Sequence, residues 1–168
     1  KELIALVKAS PGKFNYASSG AGTTVHLSGE LFNSMAGVKA VHVPFKGAIE
    51  ALTGLLGGQT DFMFASASSS IPQVKAGKLK AFAVTSAQRV ASMPDLPTVS
   101  EAALPGFVAA AWYGIVGPAR MPQPAVATLS RAAFSSLETK EVKDRFFASG
   151  VEIRPAPADA FAKLIVSE

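Results

Sequence analysis

The sequence predicts an α/β chain built on a largely parallel sheet, and three observations lead there. Short apolar stretches alternate with amphipathic ones at the spacing of strand, turn and helix. The junctions are rich in glycine, proline and small hydroxyl residues, as at 18–24, 44–47 and 66–70. The composition, 49% hydrophobic and 17% charged over 168 residues, is that of a globular chain rather than a disordered one. Strand–turn–helix repeats of this kind form layered lobes whose ligands bind beyond the carboxyl ends of the strands. The three junctions above belong at that edge.

Taken in order, residues 1–9 read as a helix with Leu3, Ile4 and Val7 on its apolar face, ended by Pro11-Gly12. Residues 13–17 are the first expected strand. The turn Ser18-Ser19-Gly20-Ala21-Gly22 follows, and Thr23 or Thr24 caps a helix with Leu27, Leu31, Phe32 and Met35 on one face. Gly37 stops that helix. Residues 38–43 alternate as a second strand, and Pro44-Phe45-Lys46-Gly47 turns into a helix at 48–56 that is expected to bury Ile49, Leu52, Leu55 and Leu56. Residues 61–65 form a third strand. Pro72 is expected to start a short helix, and 79–85 to be a fourth strand. Beyond it come a stiff Pro-rich segment, a short helix at 99–103, a strand at 107–116 carrying Trp112 and Tyr113, helices at 125–137 and 140–148, a strand at 151–154 and a last helix at 157–166. A lobe boundary is expected near 85–92. Residues 1–85 then form one complete α/β lobe, while 86–168 have too few strands for their helices.

The formal net charge is +4, but the Lys and Arg residues are scattered, so nothing points to nucleic acid. With no cysteine there is neither a disulfide framework nor thiolate chemistry. No apolar run approaches the ~20 residues that span a bilayer, so direct membrane insertion is not expected. No signal peptide is recognisable, and Lys1 to Ala9 resembles the middle of a helix; the chain reads as a mature fragment of something longer.

The stretch from Asn15 to Gly37 organises the rest. A turn of small residues into a helix leaves the first helical N–H groups unpaired, and the helix dipole adds partial positive charge. A carboxylate or phosphate is the natural occupant, and no acidic side chain lies between Ser18 and Ser28 to take its place. The dinucleotide fingerprint fails, because Val25 stands where its third glycine belongs and Val43-Pro44 where its acidic residue belongs. His26 and His42 form no metal-spaced cluster, and neither has an oriented acid nearby in sequence. No catalytic residue, metal or cofactor is therefore expected: His42 reads as structural, His26 as a helix-start residue close to a ligand, and Glu30, Glu50 and Asp61 as solvated. Lys46, in a loop at the same edge, is either an anion partner or an exposed turn lysine. Ser66, Ser68, Ser69 and Ser70 offer hydroxyls to a carboxylate, or cap the helix beginning near Ile71.

Tyr16-Ala17-Ser18-Ser19-Gly20-x-Gly22, His26-Leu27-x-Gly29-Glu30-Leu31-Phe32, His42-Val43-Pro44-Phe45-Lys46-Gly47, Leu55-Leu56-Gly57-Gly58-Gln59 and Pro94-Asp95-Leu96-Pro97-Thr98-Val99 together carry a resemblance. The chain resembles the Bug-type periplasmic substrate-binding receptors of tripartite tricarboxylate transporters along its whole length. That resemblance implies periplasmic-binding-protein-like (type II) lobes closing on a small carboxylate, held largely by loop amides and water and delivered to membrane transporter subunits. It implies a periplasmic location, and it places Ser18, Ser19, Gly20, Gly22, Thr23, Thr24 and His26 on one wall of the cleft. Phe45, Lys46 and Gly47 line it beside them, with Ala65, Ser66 and Ser68. By the same resemblance, the part of the first lobe that precedes residue 1 in relatives is missing here. Ala65-Ser66 also replaces an acidic residue that relatives often carry, which favours a plain carboxylate over an amino acid. The competing expectation is an enzyme that uses the 18–24 turn as an anion or oxyanion cradle.

Overall fold

Strand β1 (Asn15–Ser18) is the middle of a three-stranded parallel sheet, flanked by β2 (Val41–Pro44) and β3 (Phe62–Met63). Tyr16 lies opposite both His42 and Phe62, and Ala17 opposite Val43 and Met63. The computed structural model describes residues 1–167. Helix α1 (Glu2–Ala9) precedes the sheet; α2 (Thr24–Ala36) joins β1 to β2, α3 (Ala48–Leu56) joins β2 to β3, and α4 (Ala67–Lys75) follows β3. Parallel pairing forces Ser18, Pro44 and Met63 to one edge, and with them the N-terminal ends of three helices.

The core gathers Val7, Tyr16, Phe32, Ala40, Phe62, Leu104 and Phe107, with Leu3 and Ile4 packed against it as the first-helix pattern predicts. Phe62, Phe64 and Phe32 pack ring against ring, and Phe64 stacks on Phe107 at 6.1 Å. The chain returns to this core through α5 (Val99–Ala102), whose start is fixed by a reciprocal capping box between Thr98 and Glu101. Phe107 is fully buried, which is why the first compact unit extends from Lys1 to Ala111. The boundary expected at 85–92 therefore falls inside this unit. The second unit, Trp112–Glu168, contains α6 (Gln123–Glu138), α7 (Lys140–Ala148) and α8 (Ala158–Ser167).

Several expectations are corrected. Residues 79–85 are not a fourth strand: Val84 makes a single parallel bridge to Thr98, and the rest has no ladder partner among the described residues. The strands expected at 107–116 and 151–154 are absent for the same reason, since strand pairing is what satisfies an extended backbone. Pro72 lies inside α4 rather than at its start, so the serine run forms the first turn of that helix, with Ser66 as its N-cap residue. Of the predicted face of α2, Phe32 is buried and Leu31 packs against the core, but Leu27 is 57% exposed and Met35 is also exposed; Ser28 and Gly29 are buried in their place. A Cβ on Gly29 would lie 2.1 Å from the Tyr16 ring, so the glycine lets the helix sit directly on the sheet. Likewise α3 buries Ala51, Leu52 and Gly54, while Ile49 is 81% exposed. Here a Cβ on Gly54 would meet the Phe45 ring at 2.6 Å.

Candidate functional site

The turn after β1 is shaped by two glycines at positive φ, Gly20 at 128° and Gly22 at 79°. Ser18 Oγ accepts the Gly20 N–H at 3.1 Å and lies 2.6 Å from His42 Nε2. Thr23 is the N-cap: its hydroxyl donates to the Gly20 carbonyl at 2.7 Å and accepts the His26 N–H at 3.4 Å. The Gly22 N–H donates to His26 Nδ1 at 3.0 Å, and the Thr23 N–H reaches the Gly20 carbonyl at 3.4 Å. The amides of Ala21, Thr24 and Val25 meet no acceptor among the described residues. The turn is thus half satisfied by its own oxygens and His26, and half open. Its open donors sit where the dipole of the 13-residue α2 is positive.

The neighbouring loops are tied to this turn. Phe45 N–H donates to the Ser18 carbonyl at 2.9 Å, extending the β1–β2 ladder past the strand ends. Gly47, at φ 127°, is the N-cap residue of α3, and the Lys46 amide donates to Glu50 Oε2 at 3.2 Å. Glu50 is exposed, and its carboxylate also accepts this loop amide. At β3, Ser66 and Ser69 hydroxyls are 2.8 Å apart, and Ser69 and Ser70 both donate back to the Ser66 carbonyl.

Behind the turn lies a cluster that the sequence does not announce. The His26 and His42 rings stack with centroids 4.0 Å apart, and the Tyr16 ring stacks with His42 at 5.1 Å. Tyr16 donates its hydroxyl to Glu30 Oε1 at 2.5 Å, and that oxygen lies 3.9 Å from His26 Nε2. Burial and the Glu30 carboxylate push the Tyr16 phenol well above its ordinary value. Burial, with the His26 ring next to it, holds His42 below the ordinary imidazole value, and Glu30 opposes this weakly. Glu30 is exposed, as expected of a solvated helix position, and its carboxylate additionally accepts the Tyr16 hydroxyl. Its only signal in the sequence is the His26–Glu30 i,i+4 spacing; that Tyr16 faces His42 depends on the strand register.

The structure brings Ser18, Ser19, Gly20, Gly22, Thr23, Thr24 and His26 to the same sheet edge as Phe45, Lys46, Gly47, Ala65, Ser66 and Ser68. It also sorts them. Ser18 is fully buried and its hydroxyl is occupied inside the protein, so it shapes the turn and does not face outward. The Thr23 hydroxyl is occupied by capping. The Phe45 ring packs on Gly54 of α3. Thr24, Lys46 and Ser68 are exposed. The Ser18–His42 pair has the contact distance of a nucleophile and base, but Ser18 is inaccessible, and no acid is hydrogen-bonded to His42 among the described residues. No group of three metal-ligating side chains occurs among the described residues. No described helix is long and apolar enough to cross a membrane.

Comparison with known proteins places this geometry in context. The family model described as "Tripartite tricarboxylate transporter family receptor" matches residues 1–168. A Pseudomonas sp. (strain P51) relative, described as "UPF0065 protein in tcbD-tcbE intergenic region", is 32% identical over 168 residues, covering 99% of this chain and 50% of that protein. The solved structure "R. palustris Rpa4515 with adipate" superposes with a TM-score of 0.95 at 29% identity, covering 99% of this chain and 56% of that one. "MatC (Rpa3494) from Rhodopseudomonas palustris with bound malate" gives a TM-score of 0.90 at 32% identity, covering 99% and 57%. The chain spans about half the length of the first curated relatives it matches, 50%, 43% and 51% of them.

Proposed function

We propose, from the premise that this chain belongs to the tripartite tricarboxylate transporter receptor family, that it is the ligand-gripping part of a non-enzymatic periplasmic receptor for a small carboxylate. The observation that carries the reading is the trio of main-chain amides at Ala21, Thr24 and Val25, which have no partner among the described residues and lie at the positive end of α2. A carboxylate over them accepts hydrogen bonds that the protein leaves unmade. The adipate and malate in two structural neighbours support that ligand class. Ser19, Lys46 and the 65–68 loop add contacts around the same edge, and membrane transporter subunits receive the solute. In this reading residues 1–85 form the body of one complete lobe, with 99–107 returning to pack on its core, and the rest of 86–168 belongs to part of the other.

Isothermal titration of the complete natural chain with dicarboxylates, tricarboxylates and aromatic acids tests the proposal. Saturable binding without turnover is expected. Absence of any binder overturns it, and consumption of the titrant favours the alternative, an enzyme using the 18–24 turn as an anion or oxyanion cradle.

A further inference from the structure

The open amides of the turn are only as well aimed as the backbone that carries them. Gly20 and Gly22 both sit at positive φ, where glycine is free to move, and neither brings a side chain to hold the loop. Gly20 is anchored by Ser18 Oγ. Gly22 has one anchor among the described residues, the bond from its N–H to His26 Nδ1 at 3.0 Å. To accept that bond His26 must be neutral with its proton on Nε2, the nitrogen that faces Glu30 Oε1 at 3.9 Å.

We propose that His26 is a positioning residue for the turn, holding Gly22 only while Nδ1 is unprotonated, so that carboxylate affinity falls as the imidazole takes up a proton. The proposal rests on the receptor reading above for its ligand. A protonated His26 turns an N–H toward the Gly22 N–H, and the anchor becomes a repulsion. The groups that face the ring are accounted for. Glu30 on its own helix lies near Nε2; Tyr16 of β1 engages the same Glu30 oxygen; His42 of β2 stacks on the ring; and Ser18 at the end of β1 contacts Nε2 of His42. The Gly22 N–H is directed at His26 Nδ1, while His42 Nε2 is engaged with Ser18. The added positive charge also attracts an anion, but at an exposed rim that attraction is screened. Loss of the anchor instead loosens the backbone that carries the donors themselves.

The test is titration of adipate and malate into the complete natural chain at about pH 7.5 and about pH 6, a window in which carboxylates stay charged. Wild type is expected to lose about threefold in affinity on acidification. His26→Asn, whose side-chain oxygen takes the place of Nδ1 and cannot be protonated, is expected to keep its affinity at both values. His26→Gln, whose amide reaches past Gly22, is expected to be weak at both. Wild-type affinity that stays flat or rises on acidification overturns the proposal, and so does a His26→Gln protein that matches wild type. The Gly22 amide resonance separates the two ideas. If neither diacid binds any variant, the receptor reading fails for these ligands, but the positioning claim still requires this resonance to follow pH in wild type and not in His26→Asn; a resonance that ignores pH sinks it.

Discussion

The two units of this chain are built to different standards. In Lys1–Ala111 a parallel sheet is covered closely: Tyr16, Ile71, Val7 and Phe107 are almost wholly buried, and glycines at 29 and 54 let helices rest on aromatic rings. In Trp112–Glu168 no described residue is buried, and Tyr113, Ile115, Val116 and Val166 are among its exposed side chains. The second unit has its own close approach, with Phe161 lying where a Cβ on Gly114 would be, at 2.0 Å, and Trp112 meeting Phe161 edge to face at 5.3 Å. Local contact of the same kind therefore occurs in both. What differs is whether a strand ladder lies beneath it. Apolar side chains stabilise in proportion to the area they remove from water, and helices without a sheet remove little.

Four measurements break or sharpen this contrast. Phe107→Ala is expected to cost about 3–5 kcal/mol in urea unfolding followed by circular dichroism, whereas Phe161→Ala costs about 1 kcal/mol or less. The single tryptophan, Trp112, belongs to the second unit, so its fluorescence follows that unit alone. Equal costs for the two substitutions would erase the distinction. Gly29→Ala comes next, at about 3 kcal/mol, because the new methyl meets a buried ring that has no room to withdraw. A neutral result would mean that α2 can lift off the sheet. Thr98→Ala is expected to cost about 1 kcal/mol through loss of the α5 cap, and to return the Glu101 carboxyl, held low chiefly by the Thr98 backbone N–H and then by Arg89, only part of the way to its ordinary value by NMR titration. The smallest effect is the pH dependence of the first unit. His42 is held below the ordinary imidazole value, so below about pH 6.5 the unfolded chain binds a proton that the folded chain refuses. Stability is then full above that pH and lost as pH falls through the folded value. Melting curves from about pH 7.5 to about pH 5.5 are expected to slope less in His42→Gln than in wild type.

How far the sequence reveals these features depends on what each one needs. Tandem strand, turn and helix signals through 75 are local, so the parallel arrangement and the shared edge of 18–24, 45–47 and 66–68 were legible. The Thr23 cap and the Gly37 stop are local too, and both occur where expected. The failures need partners distant in the chain. Residues 79–85 and 107–116 have strand composition, yet a strand exists only where another backbone pairs with it. Leu27 and Ile49 have helix-face periodicity, but Gly29 and Gly54 decide which side approaches the sheet, and a hydrophobic count gives a glycine no weight. The site divides in the same way. Its open amides follow from the turn alone, while the Glu30–Tyr16 and His26–His42 contacts depend on the register of β1 against β2.

Donors supplied by the main chain have one further property. An amide N–H is common to nineteen of the twenty residue types, so almost any substitution at Ala21, Thr24 or Val25 leaves it in place, and only proline deletes it. Sequences can drift at these three positions while inheriting the same trio of donors. If the turn holds a carboxylate as proposed, the choice of solute is free to change through other parts of the molecule without rebuilding these donors.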